Sequence, residues 1–426
     1  MPTIEELYQI YLKHPSVQTD TRKLKPGDIF FALKGEKFNG NAFAKQAVEA
    51  GAAYVVIEDA AYEISGKTIL VDNVLECLQQ LAHHHRQQFQ NPFIAITGSN
   101  GKTTTKELIH AVLSSKYKTY TTEGNLNNHI GIPLTLLRIK ADAEIAVIEM
   151  GANHQKEIER YCRYALPTHG LITNCGKAHL EGFGGAAGVR KGKGELFDYL
   201  KTIDGTAFIF NDYDYLKEMS VGVSHIFSYG SKDGDITGEM LSSEPYLETA
   251  ITGKNTFHIQ TQLVGSYNFP NVLAAVCVGQ YFKIAADKIK WAIENYTPSN
   301  SRSQLINKGS NRFIMDAYNA NPSSMKLAIE NFANLKSEKK VLLLGAMAEL
   351  GEESMAEHEA IIKLIQSKNW EKVVLVGGDF IKLAHPYLSF TNAQEAKTWL
   401  QNQKFENTDF LVKGSRSMQM EKIITE

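Results

Sequence analysis

The sequence predicts an α/β protein of three domains: a small α/β domain, a central P-loop-type domain with a mostly parallel sheet, and a C-terminal Rossmann-like domain. Three observations support this prediction. The 426 residues are too many for one ordinary core. A strand, a glycine loop and a helix follow one another at 93–113. Short strands then alternate with helices from 312 to 413, which is typical of a parallel sheet covered by helices.

The first ninety residues predict a small α/β unit. Their apolar periodicity indicates strands at 29–33, 53–57 and 68–71 and helices at 41–50 and 74–89. The second helix contains His83, His84 and His85. Adjacent residues point in different directions on a helix, so these three side chains cannot share one metal ion, and we interpret them as structural or solvated.

The clearest motif is the glycine loop Gly98-Ser99-Asn100-Gly101-Lys102-Thr103-Thr104, which follows the apolar run Phe93–Ile96. Backbone N–H groups of such a loop and of the helix after it bind an anion. Lys102 would reach the terminal phosphates of a nucleotide, and the Thr103 hydroxyl would bind Mg²⁺. A full Walker A motif has glycine at the position of Ile96, so this loop is a shortened variant. The other interpretation is a plain glycine turn beside a surface lysine.

The rest of the central region predicts a doubly wound sheet. Strands are expected at 145–149, 170–173 and 206–210, with crossover helices between them. Residues 234–263 indicate short antiparallel strands, followed by a helix at 271–282 and a linker at 297–301. In the third region, strands are expected at 312–316, 340–344, 372–376 and 409–413, and helices at 324–335, 356–367 and 393–401.

Composition excludes several classes of function. The formal net charge of -2 provides no general attraction to nucleic acid or to an anionic membrane. No apolar run approaches the roughly 18 residues of a membrane helix, and residues 1–6 do not resemble a signal peptide. Cys77, Cys162, Cys175 and Cys277 are scattered, which indicates free thiols in a reducing compartment. We therefore expect a soluble cytoplasmic protein.

Several polar groups follow predicted strands, where ligands collect in open α/β sheets. Glu149 is placed like a Walker B carboxylate that holds Mg²⁺, although it could be a solvated acid. Spacing leaves open whether His179 is structural or a ligand, and whether the cations at 190–193 form a phosphate clamp or a solvated helix start. The segments 316–322 and 413–416 are either part of a site or ordinary loops.

Taken together, these motifs resemble the Mur ligases, ATP-dependent enzymes that form the amide bonds of the peptidoglycan stem peptide. The resemblance covers essentially the whole chain, including the shortened loop at 97–106. The stretches at 124–137, 316–322, 344–351 and 411–416 resemble the branch of the family that adds D-alanyl-D-alanine to a UDP-N-acetylmuramoyl tripeptide.

The resemblance implies that each of the three domains binds a different substrate. Residues 1–90 would hold the UDP-sugar, 91–299 would hold ATP, and 300–426 would bind the incoming dipeptide. It also implies two Mg²⁺ ions, no nucleic-acid or membrane partner, and a monomer.

The same resemblance implies roles for individual residues. Lys102, Glu149, His179 and Lys193 would be catalytic, with Thr103, Glu149, His179 and Lys193 as metal ligands. Lys193 would be carbamylated, with Lys191 as its competitor for that role. The remaining nucleotide contacts would be Asn128 (with Asn127 as the alternative), Asn268, Asn271, Arg302 and Asp316.

Substrate contacts are implied at Thr21, Arg22, Phe38 and Asn41 for the UDP-sugar, and at Tyr318, Asn319 and Asn321 in the third domain. Thr21, Asn39 and Asn41 replace the commoner Ser, Asp and His of the family, and Ala346 replaces a more usual acid. The implied reaction activates the tripeptide carboxylate as an acyl phosphate. Alternatives are a tripeptide-forming Mur enzyme, a folylpolyglutamate synthase, or a P-loop ATPase that ligates nothing.

Overall fold

The structure, a computed structural model, describes residues 2–253, 256–299 and 301–424. Asn300, which belongs to the predicted linker, lies outside the described residues, as do Lys254 and Asn255 in the predicted antiparallel region. Sheets of four, nine and six strands follow one another along the chain. The predicted α/β class is confirmed.

The first sheet is fully parallel, with strand order β1-β2-β5-β6, and a separate hairpin joins β3 to β4. Its elements are α1 (Ile4–Lys13), β1 (Val17–Gln18), β2 (Ile29–Phe31), β3 (Lys34–Gly35), β4 (Phe38–Asn39), α2 (Ala44–Glu49), β5 (Tyr54–Ile57), β6 (Thr68–Leu70) and α3 (Val74–Arg86).

Two predicted helices of this region are shorter than expected. The helix predicted at 41–50 begins as a 3₁₀ turn, Gly40–Phe43, because the Asn39 side chain accepts a hydrogen bond from the backbone N–H of Asn41. The helix predicted at 74–89 ends at Arg86, and the Arg86 guanidinium donates a hydrogen bond to the carbonyl of Phe89, three residues further along the chain.

The central sheet has the order β15-β14-β13-β12-β11-β10-β7-β9-β8 and is parallel from β8 to β13. Its strands are β7 (Phe93–Thr97), β8 (Thr119–Thr121), β9 (Ile145–Glu149), β10 (His169–Ile172), β11 (Thr206–Phe210), β12 (His225–Gly230), β13 (Ile236–Ser242), β14 (Glu248–Thr252) and β15 (Phe257–Gln260). Its helices are α4 (Lys102–Ser114), α5 (Gly131–Leu136), α6 (Glu157–Ala165), α7 (Leu180–Phe183), α8 (Ala186–Thr202), α9 (Asp214–Ser220), α10 (Phe269–Tyr281) and α11 (Ala286–Glu294).

The third sheet has the order β16-β17-β21-β18-β19-β20. Its elements are β16 (Gln304–Lys308), β17 (Asn311–Asp316), α12 (Pro322–Asn334), β18 (Lys340–Gly345), α13 (Ser354–Gln366), β19 (Lys372–Val376), β20 (Leu388–Phe390), α14 (Ala393–Gln401) and β21 (Asp409–Lys413). The edge strand β16 is antiparallel to β17, so the predicted parallel sheet carries one antiparallel strand that the sequence analysis missed. Such edge strands are common on parallel sheets.

The first two sheets share a continuous core. Helix α3 packs against α5 and α6, and the buried Arg86 donates hydrogen bonds to the carbonyls of Ala165 and Leu166 at the end of α6. The guanidinium also lies 3.6 Å from the ring centre of Phe93, the first residue of β7. The histidine triplet belongs to the same junction, where the His85 imidazole bonds Tyr8 and the Ile139 carbonyl.

Among the residues that the structure describes, no helix combines the length and the apolar character that a membrane crossing requires.

Candidate active site

A cavity of about 810 Å³ lies where the carboxyl ends of the central strands face those of the third sheet. The glycine loop after β7 and Glu149 of β9 line one side, and Asp316 of β17 and Lys413 of β21 line the other. The predicted site residues that line it are Ser99, Asn100, Gly101, Lys102, Thr103, Thr104, Asn128, Glu149, His179, Asn268, Asn271, Arg302, Asp316, Tyr318, Asn319 and Asn321.

The glycine loop has a conformation that requires its two glycines. Gly98 has φ +142°, and a Cβ there would lie 2.0 Å from the Thr173 hydroxyl oxygen. Gly101 has φ +80° and immediately precedes α4. Both angles favour glycine, and the close approach at Gly98 excludes any side chain. The sequence therefore folds here into a tight strand-to-helix turn, and the first turn of α4 that follows has backbone N–H groups without partners inside the helix.

Asn174, after β10, holds this turn in place. Its carbonyl accepts a hydrogen bond from Ser99 N at 2.8 Å, and its Oδ1 accepts one from Asn100 N at 3.1 Å. The Lys102 ammonium lies over the loop and donates to the carbonyls of Gly98 at 2.7 Å and Ser99 at 3.2 Å. Burial lowers the pKa of Lys102, while the nearby Glu149 carboxylate opposes that shift.

Glu149 carries a buried carboxylate oxygen with no protein partner in the described residues. Its side chain is almost fully buried, and Oε1 accepts a hydrogen bond from Asn127 Nδ2 at 2.7 Å. Oε2 has none. An unpartnered buried carboxylate oxygen is costly, and a bound cation would remove that cost. Since Thr103 and His179 line the same cavity, the residues present fit a divalent cation.

Lys193 and Lys191 differ in burial although they share helix α8. Lys193 is buried, its Nζ donates to the Ala152 carbonyl at 3.0 Å, and its ammonium lies 4.8 Å from the Phe183 ring centre. Burial, with the nearby Lys102 charge, places the pKa of Lys193 well below its usual value. Lys191 is exposed. Lys193 is not among the residues that line the cavity.

Across the ranges 2–253, 256–299 and 301–424, no cluster of three or more His, Cys, Asp or Glu side chains is arranged to hold a metal. Glu149 and His179 would therefore need ligands of another kind to complete a metal site.

The two predicted adenine-side asparagines are bonded to each other at the start of α10. Asn271 Nδ2 donates to Asn268 Oδ1 at 2.9 Å, and Asn271 Oδ1 accepts from the Thr105 hydroxyl at 3.1 Å. Asn268 Nδ2 also donates to the Ser303 hydroxyl at 3.2 Å. The pair thus connects the loop helix α4 with the start of the third domain.

The third domain brings a charged and aromatic group to the cavity. The Arg302 guanidinium lies 3.6 Å from the ring centre of Tyr318. Asp316 forms an ion pair with the buried Lys413 at 2.5 Å. Asn321 caps helix α12 through Oδ1 and donates from Nδ2 to Asn100 Oδ1 in the glycine loop at 2.7 Å.

The residues predicted to bind the UDP-sugar lie elsewhere. Thr21, Arg22, Phe38 and Asn41 belong to the first domain, and none of them lines the cavity. The Arg22 side chain is 87% exposed and pairs with Asp20, and Phe38 is exposed. Asn41 is fully buried, with Oδ1 accepting from Glu58 N at 2.9 Å and Nδ2 donating to the side chain of Asn39. Both hydrogen bonds of its amide are therefore made within the first domain.

Sequence reasoning assigned no role to Asn174, Tyr213 or Tyr215, which also line the cavity. All three follow the carboxyl ends of β10 and β11. Their position after parallel strands was the one signal that could have identified them.

The fold places a glycine loop of the P-loop type in a cavity between the central sheet and the third sheet, an arrangement typical of nucleotide-dependent α/β enzymes. Sequence profiles agree: "Mur ligase family, catalytic domain" matches residues 15–86, "Mur ligase middle domain" matches 96–279, and "Mur ligase, glutamate ligase domain" matches 301–416. The chain belongs to the Mur ligase family.

Relatives match along nearly the whole chain. The UDP-N-acetylmuramoyl-tripeptide--D-alanyl-D-alanine ligases of Bacillus subtilis (strain 168) and Escherichia coli (strain K12) are 37% and 36% identical, and each match covers 96% of this chain and 92% of the relative. The structure of MurF from Acinetobacter baumannii has a TM-score of 0.87 at 30% identity, covering 99% of this chain and 97% of that one. MurF ligase from Thermotoga maritima in complex with ADP has a TM-score of 0.86 at 25% identity, covering 97% of each chain.

Proposed function

We propose that this protein is an ATP-dependent ligase that joins D-alanyl-D-alanine to a UDP-N-acetylmuramoyl tripeptide in peptidoglycan precursor synthesis. The products are the UDP-N-acetylmuramoyl pentapeptide, ADP and phosphate. The observation that carries this proposal is similarity over 96% of the chain to relatives named for this activity. The cavity between the second and third domains supports it, because it joins a phosphate loop to residues of a separate substrate domain.

The glycine loop would bind the ATP phosphates through its backbone N–H groups, and Lys102 would neutralise charge on the terminal phosphates. Asn128, Asn268, Asn271, Arg302 and Asp316 are assigned to the nucleotide because they line the same cavity. Tyr318, Asn319 and Asn321 line this cavity as well, and their assignment to the incoming dipeptide rests on the resemblance to the family. Thr21, Arg22, Phe38 and Asn41 remain a proposal for the UDP-sugar that rests on resemblance alone.

Thr103, Glu149, His179 and Lys193 would hold two Mg²⁺ ions, which neutralise phosphate charge when bound. The unpartnered Oε2 of Glu149 supports this assignment. Lys193 would enter as a carbamate, formed when its neutral amine attacks carbon dioxide, makes an N–C bond and releases a proton. Its depressed pKa favours the neutral amine that this step needs, whereas Lys191 is exposed on the surface of the same helix.

In the proposed reaction, a carboxylate oxygen of the tripeptide attacks the γ-phosphorus of ATP and ADP leaves. The amine of D-alanyl-D-alanine then attacks the acyl carbon of the resulting acyl phosphate, loses a proton and expels phosphate. Positioning and charge neutralisation supply most of the catalysis in phosphoryl transfer. Contact between the third domain and the loop, made by Asn321 and Asn100, would exclude water from the acyl phosphate.

We further propose that the protein acts in the cytoplasm as a monomer. Its four cysteines are free thiols, as expected in a reducing compartment.

The test combines purified protein, ATP and UDP-N-acetylmuramoyl tripeptide with one amine at a time. We expect phosphate release and a pentapeptide mass with D-alanyl-D-alanine, and neither with D-glutamate, L-lysine or diaminopimelate. In a parallel reaction with UDP-N-acetylmuramoyl dipeptide in place of the tripeptide, formation of tripeptide would identify another Mur ligase instead. Phosphate release that needs no amine would identify an ATPase that ligates nothing.

A further inference from the structure

The segment Leu344–Gly351, one of the most specific motifs of the sequence, contributes a side chain to the central domain. It includes the end of β18 and the loop that follows. A carboxylate oxygen of Glu349 in this loop contacts Nδ1 of His179, which lies in the loop between β10 and α7. The contact therefore crosses the boundary between the second and third domains.

Both partners have unusual backbone conformations. His179 has φ +53° and Glu349 has φ +61°, in the left-handed region that residues other than glycine seldom occupy. Such conformations persist where the surrounding structure imposes them, and they cluster at functional sites.

The third-domain loop is fixed from within. The fully buried His358 accepts a hydrogen bond through Nε2 from Met347 N at 3.0 Å. Leu350, next to Glu349, is 3% exposed, and its carbonyl accepts from Glu353 N. Glu349 is thus presented by a rigid loop, which is how supporting residues hold a site in a defined geometry.

The third domain also contacts the central domain on either side of His179. The Lys177 ammonium pairs with Glu357 at 2.5 Å, and Lys177 N donates to the Ser323 hydroxyl at 2.9 Å. On the other side, a Cβ on Gly351 would lie 3.1 Å from the Cβ of Glu181. The third domain therefore contacts the central loop on both sides of His179.

The position of Glu349 bears on which imidazole nitrogen of His179 carries the proton. A ring nitrogen bonded to a carboxylate carries the hydrogen, so the other nitrogen keeps its lone pair for a metal. A carboxylate behind a ligating histidine also fixes the ring orientation.

We propose that Glu349 is a positioning residue: it holds the His179 imidazole with its proton on Nδ1 and its Nε2 available to a divalent cation, and does so when the third domain is docked. This inference rests on the metal role proposed above for His179. It makes completion of the metal site depend on domain docking.

The test measures Mn²⁺ affinity of the full chain with saturating ADP, by electron paramagnetic resonance, in E349A, E349Q, H179A and the double variant H179A/E349A. The matched control is E352Q, because Glu352 is an exposed acid three residues along the same loop. Loss of a residue that supports a metal ligand typically weakens metal affinity by about 10- to 100-fold, which we expect for E349A. E349Q keeps the size and an acceptor for Nδ1–H and is expected to lose less, and E352Q is expected to match the wild type.

In the H179A background, E349A is expected to cause no further loss, because Glu349 acts through His179. Wild-type Mn²⁺ affinity in E349A would overturn the proposal, as would an equal loss in both backgrounds or wild-type affinity in H179A. Thermal unfolding of each variant checks that it folds, and E349Q replaces E349A if the latter does not.

Ligation by the wild type is measured separately. If the wild type does not ligate, the proposed function is refuted. If E349A still binds Mn²⁺ more weakly than the wild type in that case, the inference about Glu349 stands.

Discussion

Replacing Asn321 should separate two functions of its side chain, the cap of helix α12 and the contact with the glycine loop. Its Oδ1 caps helix α12 by accepting from Ser324 N at 2.9 Å, and its Nδ2 donates to Asn100 Oδ1 in the glycine loop at 2.7 Å. Serine caps a helix about as well as asparagine but has no amide to donate across the domain boundary. Alanine can do neither. The pair N321S and N321A therefore distinguishes the contact with the loop from the cap.

The expected sizes follow from these two contacts. Loss of an N-cap costs about 1 kcal/mol, so N321A should lower the free energy of unfolding by that amount, while N321S should remain within about 0.5 kcal/mol of the wild type. A neutral hydrogen bond contributes about 0.5–1.5 kcal/mol net. We therefore expect both variants to lower kcat/KM for ATP by about 2- to 13-fold.

Steady-state kinetics with ATP varied, together with chemical denaturation, measures both quantities. If N321S had wild-type kcat/KM for ATP while N321A did not, the cap alone would matter. If N321S changed only the KM of the dipeptide, the contact with Asn100 would not act on the nucleotide site. Either result would show that the hydrogen bond between Asn321 and Asn100 does not support the use of ATP.

Three further predictions concern other parts of the chain. Lys193→Ala should lower kcat by about 100-fold or more, and acetate should partly restore it. The control Lys191→Ala changes an exposed lysine and should keep a kcat near that of the wild type. A fully active K193A would show that no carbamate on Lys193 is needed. Arg86→Ala should lower the free energy of unfolding by about 3 kcal/mol or more in a denaturant titration, because three backbone carbonyls lose a charged donor, and Arg86→Lys should lose less. Burial lowers the pKa of His169 from 6.5 to about 4, so its contribution to stability is fully present above pH 6.5 and is lost as the pH falls toward 4. Between about pH 7.5 and pH 5 this loss amounts to about 2 kcal/mol, and His169→Phe should reduce that pH dependence in denaturant titrations.

Sequence reasoning worked where the information is local. The glycine loop could be predicted because two glycines, a lysine and threonines between a strand and a helix are adjacent in the chain. Glu149 could be placed at the cavity because the carboxyl ends of parallel strands share one edge of a sheet. The alternation of strands and helices likewise predicted most of the third sheet.

The remainder depends on contacts between distant segments. Asn321 meets Asn100, and Glu349 meets His179, across a domain boundary that no local pattern encodes. The amide of Asn41, a predicted contact of the UDP-sugar, is bonded to Glu58 and Asn39, which sequence patterns did not indicate. The antiparallel strand β16 was missed because pairing direction follows from the path of the chain and not from the alternation of its side chains.

In the proposed reaction the cavity activates a carboxylate with ATP. The most direct measurement uses UDP-N-acetylmuramoyl tripeptide labelled with ¹⁸O in its terminal carboxylate, with ATP and D-alanyl-D-alanine, and follows the label by mass spectrometry. An acyl phosphate predicts one ¹⁸O atom in each phosphate released, together with ADP and a pentapeptide that retains the other. Unlabelled phosphate, or AMP and pyrophosphate in place of ADP, would show that the tripeptide carboxylate is not activated as an acyl phosphate.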